Sequence, residues 1–331
     1  MRKKWIRGGI FLCLVLLLLS NLNRILCVKS PHGVDQTRYL YVQPKNKIDV
    51  LFLGSSHVHC NVNTQLLWDE YGMAAYLMTG AEQPLWNSYY NLKEALKTQK
   101  PRLVVLDMFC PSRFYDDFQP GWADENLDGM RISLNKLEAV YTSVQEEQSH
   151  FFLGFTKYHS RYDQLTAEDF QNFVWNRKTQ ERWKGYTPLN RHAELTEPDM
   201  SHVTTSQEMT EKSKEYFEKI VELTKKEGIT LALISGPYLL EERDQEVYNS
   251  IGQLAEKNGL LFWNTNTPAH YREMGLDFST DYADHAHLNE AGSAKYTAYL
   301  GKWLSKNYSF PDRRGQKGYE SWENQLMKSG E

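Results

Sequence analysis

Three side chains of the kinds that cooperate in nucleophilic catalysis lie near opposite ends of this sequence. Ser56 is part of Ile48–Cys60, which reads IDVLFLGSSHVHC. Asp284 and His287 lie in Asp281–Gly292, which reads DYADHAHLNEAG. A carboxylate three residues before a histidine, on one loop ahead of a helix, can reach the imidazole and fix its tautomer. An imidazole held in this way can take the proton of a serine hydroxyl, so the pair is a candidate base for Ser56.

The residues before Ser56 have the pattern of a buried parallel strand that ends in a turn. Val50–Leu53 is continuous in apolar residues, and Gly54 permits a sharp change of backbone direction directly after it. The same signal predicts four further strands: Met73–Thr79, Arg102–Met108, Ile229–Ser235 and Leu260–Trp263. Segments with helical spacing separate them, which predicts an α/β fold with a doubly wound, five-stranded parallel sheet. Ser56 and the loop of Asp284 and His287 would then meet at one edge of that sheet.

A long aromatic-rich segment interrupts the regular alternation. We predict an α/β core over 46–108 and 205–307, with a helical insertion over 109–204 that caps the carboxyl edge of the sheet. Thr205 with Glu208 predicts a capping box at the start of the next core helix. The aromatic side chains of the insertion can stack on sugar rings or an acyl chain, or they can form the insertion's own small core. The second interpretation is favoured for most of them, because a segment of this size needs a core.

The N-terminal residues 1–30 have the pattern of a membrane-targeting element. Four basic residues within the first seven precede the apolar run Gly8–Leu19, so we predict a membrane segment over residues 5–26 with a cytoplasmic N-terminus. An uncleaved signal anchor is favoured over a cleaved signal peptide, since no small-x-small cleavage site follows. Both alternatives place the remainder of the chain outside the cytoplasm.

Two further segments carry little hydrophobic pattern. Residues 31–45 are interpreted as a linker between the anchor and the core. Residues 308–331 are interpreted as a loosely attached tail, in which Tyr319 and Trp322 are candidates for docking on the core.

Composition and charge exclude some classes of function. The 331 residues include 38 basic and 42 acidic ones, for a net charge of −4. This balance gives no counterion-release force, so no nucleic-acid partner is predicted. No cofactor is predicted, and a metal site is the disfavoured alternative because the nearby candidate ligands lack a recognisable zinc spacing. These ligands are His57, His59, Cys60, His285 and His287.

The globular part contains two cysteines, Cys60 and Cys110. A disulfide between them fits a doubly wound sheet, in which the first and third strands are often neighbours. Two unpaired buried thiols are the favoured alternative.

Taken together, these motifs resemble those of the SGNH/GDSL hydrolase family. The first block of that family is matched by Gly54-Ser55-Ser56, in which Ser55 replaces the usual Asp and Ser56 takes the position of the nucleophile. The last block, Asp-x-x-His, is matched by Asp284 and His287. The resemblance covers the core and not the insertion. It implies a flavodoxin-like sheet and a Ser-His-Asp triad made of these residues.

The resemblance also implies an oxyanion hole, and here the chain departs from the family. The donors would be the backbone N–H of the nucleophile, Ser56, and that of the second-block glycine, which is most like Gly80. The third block, Gly-x-Asn-Asp, should follow the third strand, but no asparagine occurs there. Loss of one oxyanion donor costs about 3 kcal/mol of transition-state stabilisation if nothing replaces it. Gln83, Asn87 or a backbone N–H near Phe109 are the candidate replacements.

Within the family the chain is most similar to a membrane-anchored subgroup, which includes the D-alanine transfer protein of teichoic acid synthesis and enzymes that edit acyl groups on extracellular polysaccharides. This similarity implies a serine esterase or O-acyltransferase acting on acyl esters of a cell-surface polysaccharide, at the bacterial cell membrane. A membrane-bound acyltransferase is an implied partner. The alternative is a catalytically inactive SGNH-like protein that binds a glycan or supports such an acyltransferase.

Overall fold

A parallel sheet of five strands organises the chain, for which the computed structural model describes residues 2–27, 33–114, 116–171 and 182–323. The strands are β1 (Val50–Gly54), β2 (Ala75–Thr79), β3 (Leu103–Asp107), β4 (Thr230–Ser235) and β5 (Leu261–Asn264). Their order across the sheet is β2-β1-β3-β4-β5, which confirms the predicted flavodoxin-like α/β fold. Every residue of β1, β2 and β3 is buried, which explains why these strands are continuous apolar runs in the sequence.

Helices cover both faces of this sheet. In chain order the described α-helices are α1 (Arg2–Leu26), α2 (Val34–Leu40), α3 (Ser56–Asn61), α4 (Thr64–Tyr71), α5 (Leu85–Ala95), α6 (Phe109–Arg113), α7 (Ala123–Leu127), α8 (Leu134–Ser143), α9 (Gly154–Tyr158), α10 (Ala167–Gln171), α11 (Glu211–Glu227), α12 (Glu242–Lys257), α13 (Pro268–Met274), α14 (Glu290–Asn307) and α15 (Glu320–Glu323). Successive strand residues point to opposite faces. Leu51 and Leu53 therefore pack with α5, α8, α11 and α12, while Val50 and Phe52 pack with α3, α13 and α14.

The described part of the insertion does not form a core of its own. Most of its buried apolar residues, among them Leu127, Val140 and Phe151, belong to the same cluster as Leu51 and Leu53 of β1. Helix α8 packs along α5, so this part of the insertion extends one face of the sheet. For the described residues the expectation of a separate small core is therefore wrong, because these side chains join the core of the sheet instead.

The segment predicted as a linker, residues 31–45, is folded in its described part, 33–45. Helix α2 lies within it, and Gln36 on that helix is 1% exposed. The Gln36 side chain accepts hydrogen bonds from the backbone N–H and the hydroxyl of Thr79 at the end of β2, at 2.8 Å and 2.9 Å. Its amide also donates to the carbonyl of Gly185 at 2.8 Å. The segment is thus a structural element that fixes the end of β2.

The predicted loose tail, 308–331, is docked on the core over its described residues, 308–323. Arg313 binds both carboxylate oxygens of Asp49 at 2.7 Å and 2.9 Å. Trp322 is fully buried, and its indole N–H donates to the carbonyl of Ala75 at 3.0 Å. The tail therefore covers the amino end of β2, as the docking candidates Tyr319 and Trp322 suggested.

Hydrogen bonding decides where the helix after the insertion begins. Helix α11 begins at Glu211 with Thr210 as its N-cap, whose hydroxyl accepts from the Ser213 N–H at 3.1 Å, so the capping box at Thr205 is wrong. Thr205 instead donates to Glu246 of α12 at 2.6 Å.

Cys60 and Cys110 are both free and buried, so the alternative of two unpaired thiols holds. They lie on different sides of the turn that follows β1. The Cys110 thiol bonds the Ser55 hydroxyl, and Cys60 lies toward the charges of Asp284 and Arg191.

Helix α1 stands out from the rest by its composition. Its segment Lys3–Leu26 has a mean hydropathy of 2.0 and is long and apolar enough to cross a membrane.

Candidate active site

The turn after β1 sets the position of Ser56. Gly54 has a φ of 157°, and a Cβ at this position would lie 2.6 Å from the Cβ of Asp107 on β3, so only glycine fits. Ser55 then acts as the N-cap of α3, with its hydroxyl accepting from the His57 N–H at 3.3 Å. Ser56 is the first residue of α3, and its backbone N–H has no acceptor within the helix. The sequence thus places the Ser56 hydroxyl and N–H together at the carboxyl edge of the sheet.

The structure brings Ser56, His287 and Asp284 together in one hydrogen-bonded chain. The Nε2 atom of His287 lies 2.8 Å from the Oγ of Ser56, although the two residues are 231 positions apart in the sequence. The Nδ1 atom of His287 lies 2.8 Å from Oδ1 of Asp284. With Asp284 accepting from Nδ1–H, Nε2 is left free to accept the Ser56 proton. This is the geometry that a serine nucleophile and its base require.

Asp284 is held as a carboxylate by its surroundings. Its Oδ1 also accepts from the backbone N–H groups of Ala286 and His287, both at 3.0 Å. Burial acts to raise the pKa of Asp284, but the His287 imidazole and these two N–H groups outweigh it and hold the pKa well below its usual range. The Oδ2 atom accepts from the guanidinium of Arg191 at 3.1 Å. The charge that orients His287 is therefore fixed by four donors.

The loop that carries Asp284 and His287 is clamped from two directions. The exit of the insertion runs antiparallel to it, with Ala193 donating to the carbonyl of Tyr282 at 2.9 Å. On the other side, the Asn61 side chain at the end of α3 accepts from the Leu288 N–H at 2.9 Å. Since α3 begins at Ser56 and ends at Asn61, this bond ties the helix that begins at Ser56 directly to the loop that carries His287.

Gly80, one candidate oxyanion donor, directly follows β2 at the same edge as Ser56. Gly54 and Thr79 are register partners, so the residues after them emerge side by side. A Cβ at Gly80 would collide with the side chain of Asn126, whose amide donates to the carbonyl of Ala81 at 3.0 Å. The insertion thereby supports the loop that carries Gly80.

Gln83 and Asn87, the other two candidates, are engaged elsewhere. The Gln83 amide donates to the hydroxyl of Ser88 at 3.0 Å, and its oxygen accepts from Asn91 at 2.8 Å. The Asn87 oxygen accepts from the hydroxyl of Ser143 at 2.6 Å. Both side chains are at most 2% exposed, and they organise α5 and its contact with α8. In the described structure neither is bonded toward Ser56.

His57 is a packing residue beneath the site. Its ring stacks on Phe109 with centroids 4.4 Å apart and meets Tyr238 edge-on at 5.0 Å. Its Nδ1 lies 3.8 Å from the buried carboxylate of Asp107, which is too long for a hydrogen bond. Among the described residues, neither Asp107 oxygen nor the His57 Nε2 has a hydrogen-bond partner.

Three residues of the site carry no motif in the sequence: Gln36, Asn61 and Arg191. Asn61 is the one with a usable signal, since it closes the short helix that starts at the nucleophile. Gln36 lies in a segment without periodicity, and Arg191 reaches Asp284 only because the insertion returns along its loop. Their roles depend on tertiary contacts that no local pattern records.

Comparisons with known proteins find similarity to solved structures. No protein-family model matches the chain, and no curated protein matches it either. Among solved structures it is similar to an inferred acylhydrolase from Bacteroides fragilis NCTC 9343, with 13% sequence identity and a TM-score of 0.38. The alignment covers 81% of this chain and 92% of that chain. At so low a TM-score the likeness carries no argument about chemistry, and the case for a function rests on the geometry of the site.

Proposed function

We propose that this chain is a serine esterase or O-acyltransferase of the SGNH type, with Ser56 as nucleophile, His287 as base and Asp284 as the residue that orients it. The observation that carries the proposal is the unbroken chain of two 2.8 Å contacts from Ser56 through His287 to Asp284. It is supported by the lowered pKa of Asp284, which keeps the carboxylate ionised when the imidazole takes up a proton.

The reaction follows from these positions. His287 Nε2 takes the proton of the Ser56 hydroxyl as its Oγ forms a bond to the ester carbonyl carbon. The carbonyl oxygen becomes an oxyanion, which accepts hydrogen bonds from the N–H groups of Ser56 and Gly80. The bond to the alcohol then breaks, and His287 returns the proton to the leaving oxygen. The acyl group is left as an ester of Ser56.

A second half-reaction releases the acyl group. Water, or a sugar hydroxyl, loses its proton to His287 and attacks the Ser56 ester, and the proton passes back to the Ser56 oxygen. Water as acceptor makes the protein an esterase, and a sugar hydroxyl makes it an O-acyltransferase.

We further propose that the acyl esters belong to a cell-surface polysaccharide. The support is helix α1, which is long and apolar enough to cross a membrane, together with basic residues at its N-terminal end. These features favour a single-pass anchor in a bacterial cell membrane, with a cytoplasmic N-terminus and the core on the outer side. A membrane-bound acyltransferase is a suitable partner for a protein so placed, because it could supply the acyl group.

The full chain in detergent tests the catalytic assignment. Release of p-nitrophenol from p-nitrophenyl acetate should fall by about 10³-fold or more in Ser56→Ala, because the nucleophile is removed. A fluorophosphonate probe should label the native protein, and peptide mapping should place the label on Ser56.

Ser55→Ala is the matched control for the neighbouring hydroxyl. It should keep fluorophosphonate labelling, since the Ser55 hydroxyl caps α3 and lies at 0% exposure. Label on Ser55, or an unchanged rate in Ser56→Ala, would overturn the assignment. Glycan binding without turnover or labelling would favour the alternative, an inactive SGNH-like protein that binds a glycan or supports an acyltransferase.

A further inference from the structure

The insertion exposes three large side chains beside the C-terminal end of α1. Leu153, Tyr162 and Phe170 are 50%, 74% and 51% exposed. Isolated exposed apolar residues need no explanation, but a group of them on one part of a protein marks a contact surface. The question is what covers this surface.

Leu153 and Tyr162 directly adjoin residues that contact α1, and Phe170 adjoins the partner of one of these residues. Leu153 precedes Gly154, whose missing side chain allows the Asn23 side chain of α1 to approach closely. Tyr162 follows Arg161, whose guanidinium donates to the carbonyls of Leu26 and Cys27 at 2.6 Å and 2.9 Å.

Phe170 follows Asp169, which pairs with the same Arg161 at 3.4 Å. Helices α9 and α10 and the 3-10 helix His159–Asp163, which contains Tyr162, all pack on α1, and Leu153 directly precedes α9. The three exposed side chains therefore lie near the C-terminal end of α1, which itself exposes large apolar residues.

The length of α1 determines the depth at which the three exposed side chains would lie relative to a membrane. From Trp5 to Leu26 the helix has 22 residues, or about 33 Å at ~1.5 Å per residue, against a hydrocarbon core of ~30 Å. If Trp5 lies at one boundary, Leu26 lies at the other. Arg161, which binds the carbonyl of Leu26, then lies at the outer boundary together with its neighbours.

We propose that Leu153, Tyr162 and Phe170 form a second membrane contact, which enters the headgroup region of the outer leaflet next to α1. The inference rests on the membrane anchor proposed above. A phospholipid surface fits because Tyr and Phe with an aliphatic residue are the kind of side chains that lie at the boundary between headgroups and acyl chains. Two points of attachment fix the orientation of the core, and so of Ser56, relative to the membrane.

Fluorescent probes on the full chain in phospholipid vesicles test this inference. The Leu153→Cys substitution is made in a Cys13→Ser background, and the new thiol is labelled with NBD, a fluorophore whose emission is sensitive to water. Lipids that carry a nitroxide at the headgroup serve as quenchers. The described cysteines other than Cys13 are buried, so one label per chain is expected. Leu261→Cys is the matched control, because Leu261 is 51% exposed and lies on edge strand β5 of the core.

The Leu153→Cys probe should be quenched about threefold more than the Leu261→Cys probe and emit at shorter wavelength, since interfacial side chains lie about 5–10 Å into the headgroup boundary. Tyr162→Cys should repeat the result. Wild-type protein labelled at Cys13 reports on the anchor, and acyl-chain nitroxides should quench it strongly.

The outcomes separate this inference from the proposals it rests on. Quenching at Cys13 with equal quenching at Leu153→Cys and Leu261→Cys overturns the second contact and leaves the anchor. No quenching at Cys13 overturns both. A Leu153→Cys probe that is shielded from water in native membranes, but exposed in pure lipid, overturns the lipid assignment in favour of a protein. Esterase activity, measured separately with Ser56→Ala, does not depend on any of these results.

Discussion

Asp284 determines how the site responds to pH. Because the pKa of its carboxyl is held well below its usual value of about 3.9, Asp284 loses its charge only at a pH lower than that value. Above pH 5 we therefore expect Asp284 to stay ionised and to contribute no proton-uptake step to the acid limb of the rate profile. A log plot of kcat/KM for p-nitrophenyl acetate against pH should rise there with a slope of no more than one. A slope of two above pH 5 would contradict a carboxyl that stays ionised.

Arg191 is a positioning residue that acts through Asp284. Its guanidinium shares the Asp284 carboxylate with His287 and limits the directions in which that carboxylate can turn. Arg191→Gln removes this ion pair, so Asp284 orients the imidazole less firmly and kcat/KM for p-nitrophenyl acetate should fall. An exposed pair of this kind contributes about 0.2–1 kcal/mol, which corresponds to a fall of about 1.4-fold to 5-fold.

Arg191→Lys is the control for this prediction because it keeps the charge and loses the planar guanidinium. Its kcat/KM should lie closer to the native value than that of Arg191→Gln, because a lysine at this position can still pair with the carboxylate. An equal fall in both variants would contradict a role of the charge.

At the scale of elements, the sequence predicts what depends on local periodicity and misses what depends on distant partners. The five strands follow from apolar runs such as Val50–Leu53, since a strand buried on both faces needs such a run, whereas their order was expected from the family resemblance. Helix α2 could not be predicted, because Gln36 is buried by bonds to Thr79, which is 43 residues away. The predicted start of α11 is five residues too early, because Thr210 and not Thr205 caps this helix.

The residues of the candidate site can likewise be divided into those that a local motif predicts and those whose position depends on distant partners. Ser56, His287 and Asp284 lie in motifs whose residue types predict their chemistry, and the structure places them within hydrogen-bonding distance. Gln83 and Asn87 are amides close in sequence to Gly80, but the direction in which each side chain points depends on packing between α5 and α8. An amide's residue type gives no information about the direction in which it is turned.

The docked tail gives a prediction for the stability of an element. Trp322→Ala removes a fully buried indole that stacks on Trp68 and donates to Ala75, so it should lower the free energy of unfolding by about 3–5 kcal/mol. Urea unfolding of the full chain in detergent measures this. Since Ala75 is the first residue of β2, at the end of the sheet opposite Ser56, kcat/KM without urea should be unchanged.

Tyr141→Ala is the matched control for the loss of an aromatic ring, because Tyr141 is 59% exposed. It should change the free energy of unfolding by no more than about 0.5 kcal/mol. An equal and small effect of both substitutions would mean that the tail is not docked in solution.

At the scale of the whole molecule, the site is assembled by elements that are far apart in the sequence. The proposed nucleophile, Ser56, begins the helix after the first strand, and its proposed base, His287, lies on the loop before α14. The exit of the insertion clamps that loop. The sheet, α3 and the insertion must all be in place before Ser56 and His287 meet. The fold achieves this by packing and hydrogen bonds among the described residues, in which no cysteine is cross-linked.

This absence of cross-links gives a prediction for the thiols of the folded protein. Burial, with the negative charge of Asp284, raises the pKa of the Cys60 thiol to about 12, and burial raises that of Cys110 well above its usual value. The reactive thiolate is therefore rare at both positions at pH 7. In the native protein, maleimide should react with no thiol other than that of Cys13. After denaturation it should react with four thiols, whether or not reductant is added. A count of two without reductant and four with it would instead demonstrate a disulfide, and mapping the linked peptides would show whether it joins Cys60 to Cys110.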